Sequence, residues 1–114
     1  MRADGEDVIN LAVGEPDFDT PSHVMEAAIT AIQSGQTRYT HVAGTLALRQ
    51  AVCDKYQREN QLRYQANQVL VSNGAKQCIY NLTVALLEAG DQVIIPAPYW
   101  VSYSAMVAMA GAEA

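Results

Sequence analysis

Val69-Leu70-Val71 runs straight into Ser72-Asn73-Gly74-Ala75-Lys76-Gln77. A nearly all-apolar helical stretch from Ala75 to Ala89 then leads to Val93-Ile94-Ile95 and the loop Pro96-Ala97-Pro98-Tyr99-Trp100. This order restricts the fold more than any other feature of the chain. Two short apolar runs without alternation suit strands buried on both faces of a parallel sheet, and a helix between them predicts a right-handed crossover. A helix that is apolar nearly all round belongs inside a larger protein. The expected class is therefore α/β.

The same unit offers a ligand site. Ser72-Asn73-Gly74-Ala75-Lys76 closes a strand and opens a helix, so free backbone N–H groups point outward and the helix dipole favours an anion there. Gly74 permits close backbone approach, and Lys76 stands where the dipole disfavours a cation unless an anion joins it. The plain alternative is a capped turn with a solvated lysine. Trp100 sits at the carboxyl end of the second run, the edge where open α/β sheets bind ligands. Its indole can stack on a flat ring, or it can simply pack under a proline-rich loop.

The remaining sequence is organised around two further helices. Thr20 is placed to cap a helix with Pro21 at its first position, and Met25, Ala28, Ile29 and Ile32 recur at helical spacing to bury one face. Gly35 suits a left-handed stop. Before it, Ile9 to Val13 is a short apolar run and Gly14-Glu15-Pro16-Asp17-Phe18-Asp19 reads as an irregular loop. Gln36 to Gly44 reads as a loop carrying Tyr39 and His41. A helix over about Thr45 to Asn60 is expected to turn Leu48, Val52 and Tyr56 inward and leave Arg49, Lys55, Arg58 and Glu59 in water. A last helix is expected from Val101 to Ala110.

Composition excludes several classes. Half of the 114 residues are apolar and the formal net charge is −5, with the seven basic residues scattered, which argues against a nucleic-acid surface. No apolar run approaches the roughly 18 residues of a membrane span, and the acidic start lacks the apolar centre of a signal peptide. Cys53 and Cys78 have neither metal nor redox spacing and read as small buried hydrophobes in a reducing, cytoplasmic setting. His23 and His41 lack partners at metal spacing. Gly14 can offer a backbone N–H to a ligand and Tyr39 a hydroxyl to an anion, although a turn and a surface tyrosine are the plainer readings.

Taken in order, Val13-Gly14-Glu15-Pro16-Asp17-Phe18-Asp19-Thr20-Pro21, Arg38-Tyr39-Thr40, Ala43-Gly44, Leu48-Arg49, Ser72-Asn73-Gly74-Ala75-Lys76-Gln77, Gly90-Asp91 and Pro98-Tyr99-Trp100-Val101-Ser102-Tyr103 resemble the class I pyridoxal-phosphate aminotransferases. The bacterial aspartate aminotransferase branch is the most similar. The resemblance covers nearly the whole chain. It departs at Leu46-Ala47-Leu48, which replaces the usual Pro-Glu-Leu, and at His41 and Ser104, where proline is common.

The resemblance implies fold type I and pyridoxal 5′-phosphate as cofactor. It implies that Gly74, Ala75 and Lys76 hold the cofactor phosphate, that Trp100 stacks on the ring and touches substrate, and that Gly14 meets the substrate carboxylate. It implies that Tyr39 reaches the phosphate of a neighbouring subunit in a homodimer. Residues 1–44 would form the arm, helix and loop of the small-domain and dimer-contact segment, and 45–114 the incomplete start of the cofactor domain. The activity implied is transfer of an amino group between an aspartate-like amino acid and a 2-oxo acid.

Four residues that the resemblance implies for such an enzyme are unmatched in this stretch: the Schiff-base lysine, the aspartate that pairs with the pyridine nitrogen, the asparagine near the ring oxygen and the arginine that clamps the substrate carboxylate. The lysines are Lys55, on the outer side of a helix, and Lys76, at the phosphate position. Neither matches the Schiff-base lysine of the family. The expectation is an N-terminal portion of a larger aminotransferase, inactive alone. The alternatives are another fold-type I enzyme such as a carbon–sulfur lyase, a phosphate-ligand or nucleotide-binding α/β module, and a non-catalytic interaction protein.

Overall fold

The computed structural model describes residues 5–9 and 14–114. Most of the predicted run Ile9 to Val13 lies outside them. The chain divides into two compact units, Met1–Tyr39 and Thr40–Ala114.

The first unit contains helix α1, Ser22–Gln33. Pro21 flanks it instead of occupying its first position. With φ −54° and ψ 140°, Pro21 is still extended, and its carbonyl accepts the N–H groups of Val24 (2.9 Å) and Met25 (3.2 Å). No side chain caps this end, so Thr20 does not play the predicted part. The stop is as predicted. Gly35, at φ 76°, donates to the Ile32 carbonyl while Gln36 donates to that of Ala31, the paired closing bonds of a glycine-terminated helix. The predicted apolar stripe is present but not buried: Met25, Ile29 and Ile32 are exposed.

The second unit begins with a tight turn, in which the Gly44 N–H donates to the His41 carbonyl (2.8 Å) and the Ala43 N–H to His41 Nδ1 (3.1 Å). Helix α2, Leu46–Asn60, follows, with Thr45 as its cap: Oγ1 accepts from the Leu48 N–H at 3.3 Å. Gln61 closes it in the left-handed region at φ 59°. Cys53 is the buried residue of α2, whereas Leu48 and Tyr56 of the predicted inner stripe remain exposed. A 3-10 turn, Ala66–Gln68, packs against α2. Helix α3, Gly74–Leu86, and helix α4, Ser102–Met109, pack on each other.

Both predicted strands are missing as sheet among the described residues. Val71 donates its N–H to the Ala43 carbonyl (3.0 Å), an isolated bond rather than a ladder. Near the second run there is one parallel bridge, Gln92 with Glu113, in which the Val93 N–H donates to Glu113 (2.8 Å) and the Glu113 N–H to Asp91 (2.9 Å). A strand is stable only beside neighbours that take up its backbone groups along its length. Neither run has such a neighbour here.

The core is small. Met106 and Val107 of α4, together with Ala112 and Cys53, are its buried apolar residues. Helix α3 buries none, and Leu82, Val84 and Leu86 are exposed. Cys78 is exposed as well, contrary to its predicted burial, and both thiols are free. No helix among the described residues is long and apolar enough to cross a membrane.

Candidate active site

The start of α3 has the properties of an anion seat. Gly74 takes φ +80°, and a Cβ built there would meet nothing within 4 Å, so the turn opens onto free space. The Asn73 side chain, at the flanking position, makes no capping hydrogen bond to this helix end. The amides nearest the turn are not equivalent. Asn73 donates its N–H to Gln77 Oε1 one turn ahead, and Gly74 donates to the Ser72 carbonyl at 2.9 Å. The next two, of Ala75 and Lys76, have no carbonyl within the helix to bond, as at any helix start, and no other described partner takes them. Ala75 and Lys76 therefore supply the free donors, and Gly74 supplies the space and the backbone bend.

Lys76 adds a full charge. Its Nζ lies 4.8 Å from the centre of the Trp100 ring, where the negative face of the indole attracts a cation. This contact offsets the unfavourable position of an ammonium at a helix N-terminus. Trp100 is held edge-on by Tyr103, with centroids 5.6 Å apart and planes at 89°, and the Tyr103 N–H donates to the Trp100 carbonyl at 3.0 Å. The loop before it contains a cis peptide bond at Ala97–Pro98.

Two hollows flank this pair. One, of about 510 Å³, is lined by Asn73, Lys76, Gln77, Tyr80 and Met106 among others. The other, of about 560 Å³, is apolar and lined by Ile79, Ile95, Trp100, Tyr103 and Val107 among others.

Of the six predicted site residues, the structure brings together Gly74, Ala75, Lys76 and Trp100. Gly14 and Tyr39 belong to the first unit, where both are exposed. No group of three or more metal-ligating side chains occurs among the described residues. Two contributors escaped sequence reasoning. Gln77 has no role of its own in the motif that contains it, although its position four residues after Asn73 puts its amide within reach of the turn. Arg49 was expected in water, yet it is partly buried, donating from Nε to the Gly44 carbonyl (3.2 Å) and from Nη1 to that of Ala66 (2.9 Å).

The donor set fits a phosphorylated aromatic cofactor. Two free amides, a lysine charge and an open glycine turn match a phosphate dianion, and an exposed indole beside them matches a flat ring.

Comparison with known proteins gives a consistent answer. The aspartate/prephenate aminotransferase of Nitrosomonas europaea is 53% identical over 110 residues, which cover 96% of this chain and 28% of that protein. The aspartate aminotransferase of Bacillus sp. is 51% identical over 97% of this chain and 28% of its own length. Among solved structures, the aspartate aminotransferase of Rhizobium meliloti superposes with a TM-score of 0.92 at 49% identity, covering 99% of this chain and 28% of that one. That of Thermus thermophilus with maleate gives 0.93 at 47% identity, covering 98% and 29%. The chain thus spans somewhat over a quarter of the length of the relatives it matches. The fold is that of these fold-type I enzymes. A model of the family described as aminotransferase class I and II matches residues 6–114, and with identity near one half across the same span, the chain belongs to that family.

Proposed function

We propose that this chain is the N-terminal part of a pyridoxal-phosphate-dependent aminotransferase, one that moves an amino group between an aspartate-like amino acid and a 2-oxo acid. The observation that carries the reading is the pairing of a helix start that Asn73 leaves uncapped, with its Lys76 charge, and the exposed indole of Trp100. The names of the relatives support an acidic amino acid, and the Thermus thermophilus enzyme was solved with maleate, a dicarboxylate.

The residues divide the work of binding. The amides of Ala75 and Lys76 and the Lys76 ammonium hold the phosphate, while Gly74 leaves room for it. Trp100 supports the ring and limits where substrate can lie, and Gly14 offers a backbone N–H to the substrate carboxylate. Tyr39 serves the phosphate of a second copy, so the working form is a homodimer in the cytoplasm. In this division residues 1–44 form the arm and dimer-contact segment. Residues 45–114 begin the cofactor domain, where neighbouring strands would complete a βαβ unit around Val69–Val71 and Val93–Ile95. Pyridoxal phosphate, when bound, supplies the electron sink for chemistry at the substrate α-carbon. Neither Lys55 nor Lys76 is placed for the proton-shuttling part, so the chain alone binds without turnover.

Trp100 is the single tryptophan, which makes its fluorescence a direct probe. Titration with pyridoxal phosphate is expected to quench it saturably, with inorganic phosphate competing and no absorbance of a lysine-bonded cofactor appearing. No response, or tighter binding of a nucleotide, would count against the reading.

A further inference from the structure

Arg49 is the partly buried guanidinium of α2, and no carboxylate pairs with it among the described residues. Its two bonds go instead to backbone carbonyls in different segments, Gly44 before the helix and Ala66 in the 3-10 turn after it. Both segments are tied to one short run, Val69 to Ser72. In the first, the Ala43 carbonyl accepts the Val71 N–H at 3.0 Å, and Gly44 approaches Val71 so closely that a Cβ on the glycine would stand 2.8 Å from the valine side chain. In the second, the Ala66 carbonyl bonded by Arg49 also receives the Val69 N–H at 3.4 Å. One residue beyond Val71, the Ser72 carbonyl fixes the Gly74 amide.

We propose that Arg49 is a positioning residue for the phosphate turn: by fastening Gly44 and Ala66 it fixes the run from Val69 to Ser72 and hence the direction of the amides at Ala75 and Lys76. The role rests on the cofactor reading above and adds a residue distant from the phosphate to it. The planar fork of arginine matters, because two diverging N–H groups reach two carbonyls at once, which a single ammonium cannot do with the same geometry. Binding sites lose affinity when the groups supporting their contact residues are removed, even where the contact residues stay in place.

The test compares the full chain with Arg49→Met, Arg49→Lys and Gly44→Ala, and with Arg58→Met, which removes an exposed arginine from the same helix. Affinity for inorganic phosphate and for pyridoxal phosphate is read from Trp100 fluorescence, and hydrogen exchange of the Val71 amide is followed by NMR. Both are measured well below the thermal transition, with circular dichroism confirming equal helix content. Arg49→Met is expected to weaken both ligands on the order of tenfold and to speed Val71 exchange by a similar factor. Arg49→Lys should recover part of each loss, Gly44→Ala should reproduce it from the opposite side of the contact, and Arg58→Met should match the parent chain. Unchanged affinity and exchange in Arg49→Met overturn the role while leaving the cofactor site intact. Absence of binding in the parent chain overturns the cofactor reading and this role with it.

Discussion

Gly74 and Gly44 both occupy the left-handed region, at φ +80° and +93°, yet alanine should act differently at each. At Gly74 a methyl group meets no atom within 4 Å, so the cost is the backbone strain alone, roughly 1–2 kcal/mol. At Gly44 the same strain is joined by a contact of 2.8 Å with Val71, which must move. Gly44→Ala should therefore lower the midpoint of thermal unfolding further than Gly74→Ala. Gly74→Ala should cost more phosphate affinity than stability, because its methyl group enters the space left for the ligand. Paired calorimetry and phosphate titration of the two variants would check this, and equal stability losses would refute it.

Among the elements, α2 depends most visibly on its ends. Thr45 Oγ1 caps the first turn through a bond of 3.3 Å, long for its type, so Thr45→Ala should cost about 0.5–1 kcal/mol and Thr45→Ser very little. At the other end, Glu59 accepts from Lys55 one turn back and from its neighbour Arg58 at 2.9 Å. These bonds, Lys55 foremost, hold the Glu59 carboxyl below its ordinary range. A lowered pKa in the folded state stabilises the helix end above the ordinary carboxylate range, and the contribution disappears as pH falls through the lowered value. The exposure of this ion pair to water keeps the effect small. In an NMR titration of the Glu59 side chain, Lys55→Met should move the midpoint back up toward the ordinary value. A midpoint unmoved by that substitution would show that the pair does not persist in solution.

At the scale of the whole molecule, many apolar side chains that folding normally hides are exposed, including Ile29, Leu82, Leu86 and Ile94. Apolar surface of this kind binds hydrophobic dyes and lowers the cooperativity of unfolding. The chain by itself is expected to bind anilinonaphthalene sulfonate strongly and to melt over a broad range. A sharp transition without dye binding would mean that these faces find cover in solution, most simply by self-association, which light scattering would detect.

Much local chemistry that depends on neighbours along the chain was legible in the sequence, although the expected Thr20 cap did not form. The glycine stop of α1, the free amides at the start of α3 and the motif order that identifies the family all follow from residues within a few positions of one another. The inward stripes of α1 and α2 were equally clear as patterns, but a pattern states only which face seeks cover. Burial requires a second surface, and so does a strand: Val69–Val71 and Val93–Ile95 have strand composition without the neighbours that would make them sheet. Arg49 shows the same division from the other side. Its place on α2 suggested a solvated charge, and only tertiary structure could bring the carbonyl of Ala66, seventeen residues further on, to its guanidinium. Spacing along the chain determines which groups are available, whereas the folded path of the backbone determines which of them meet.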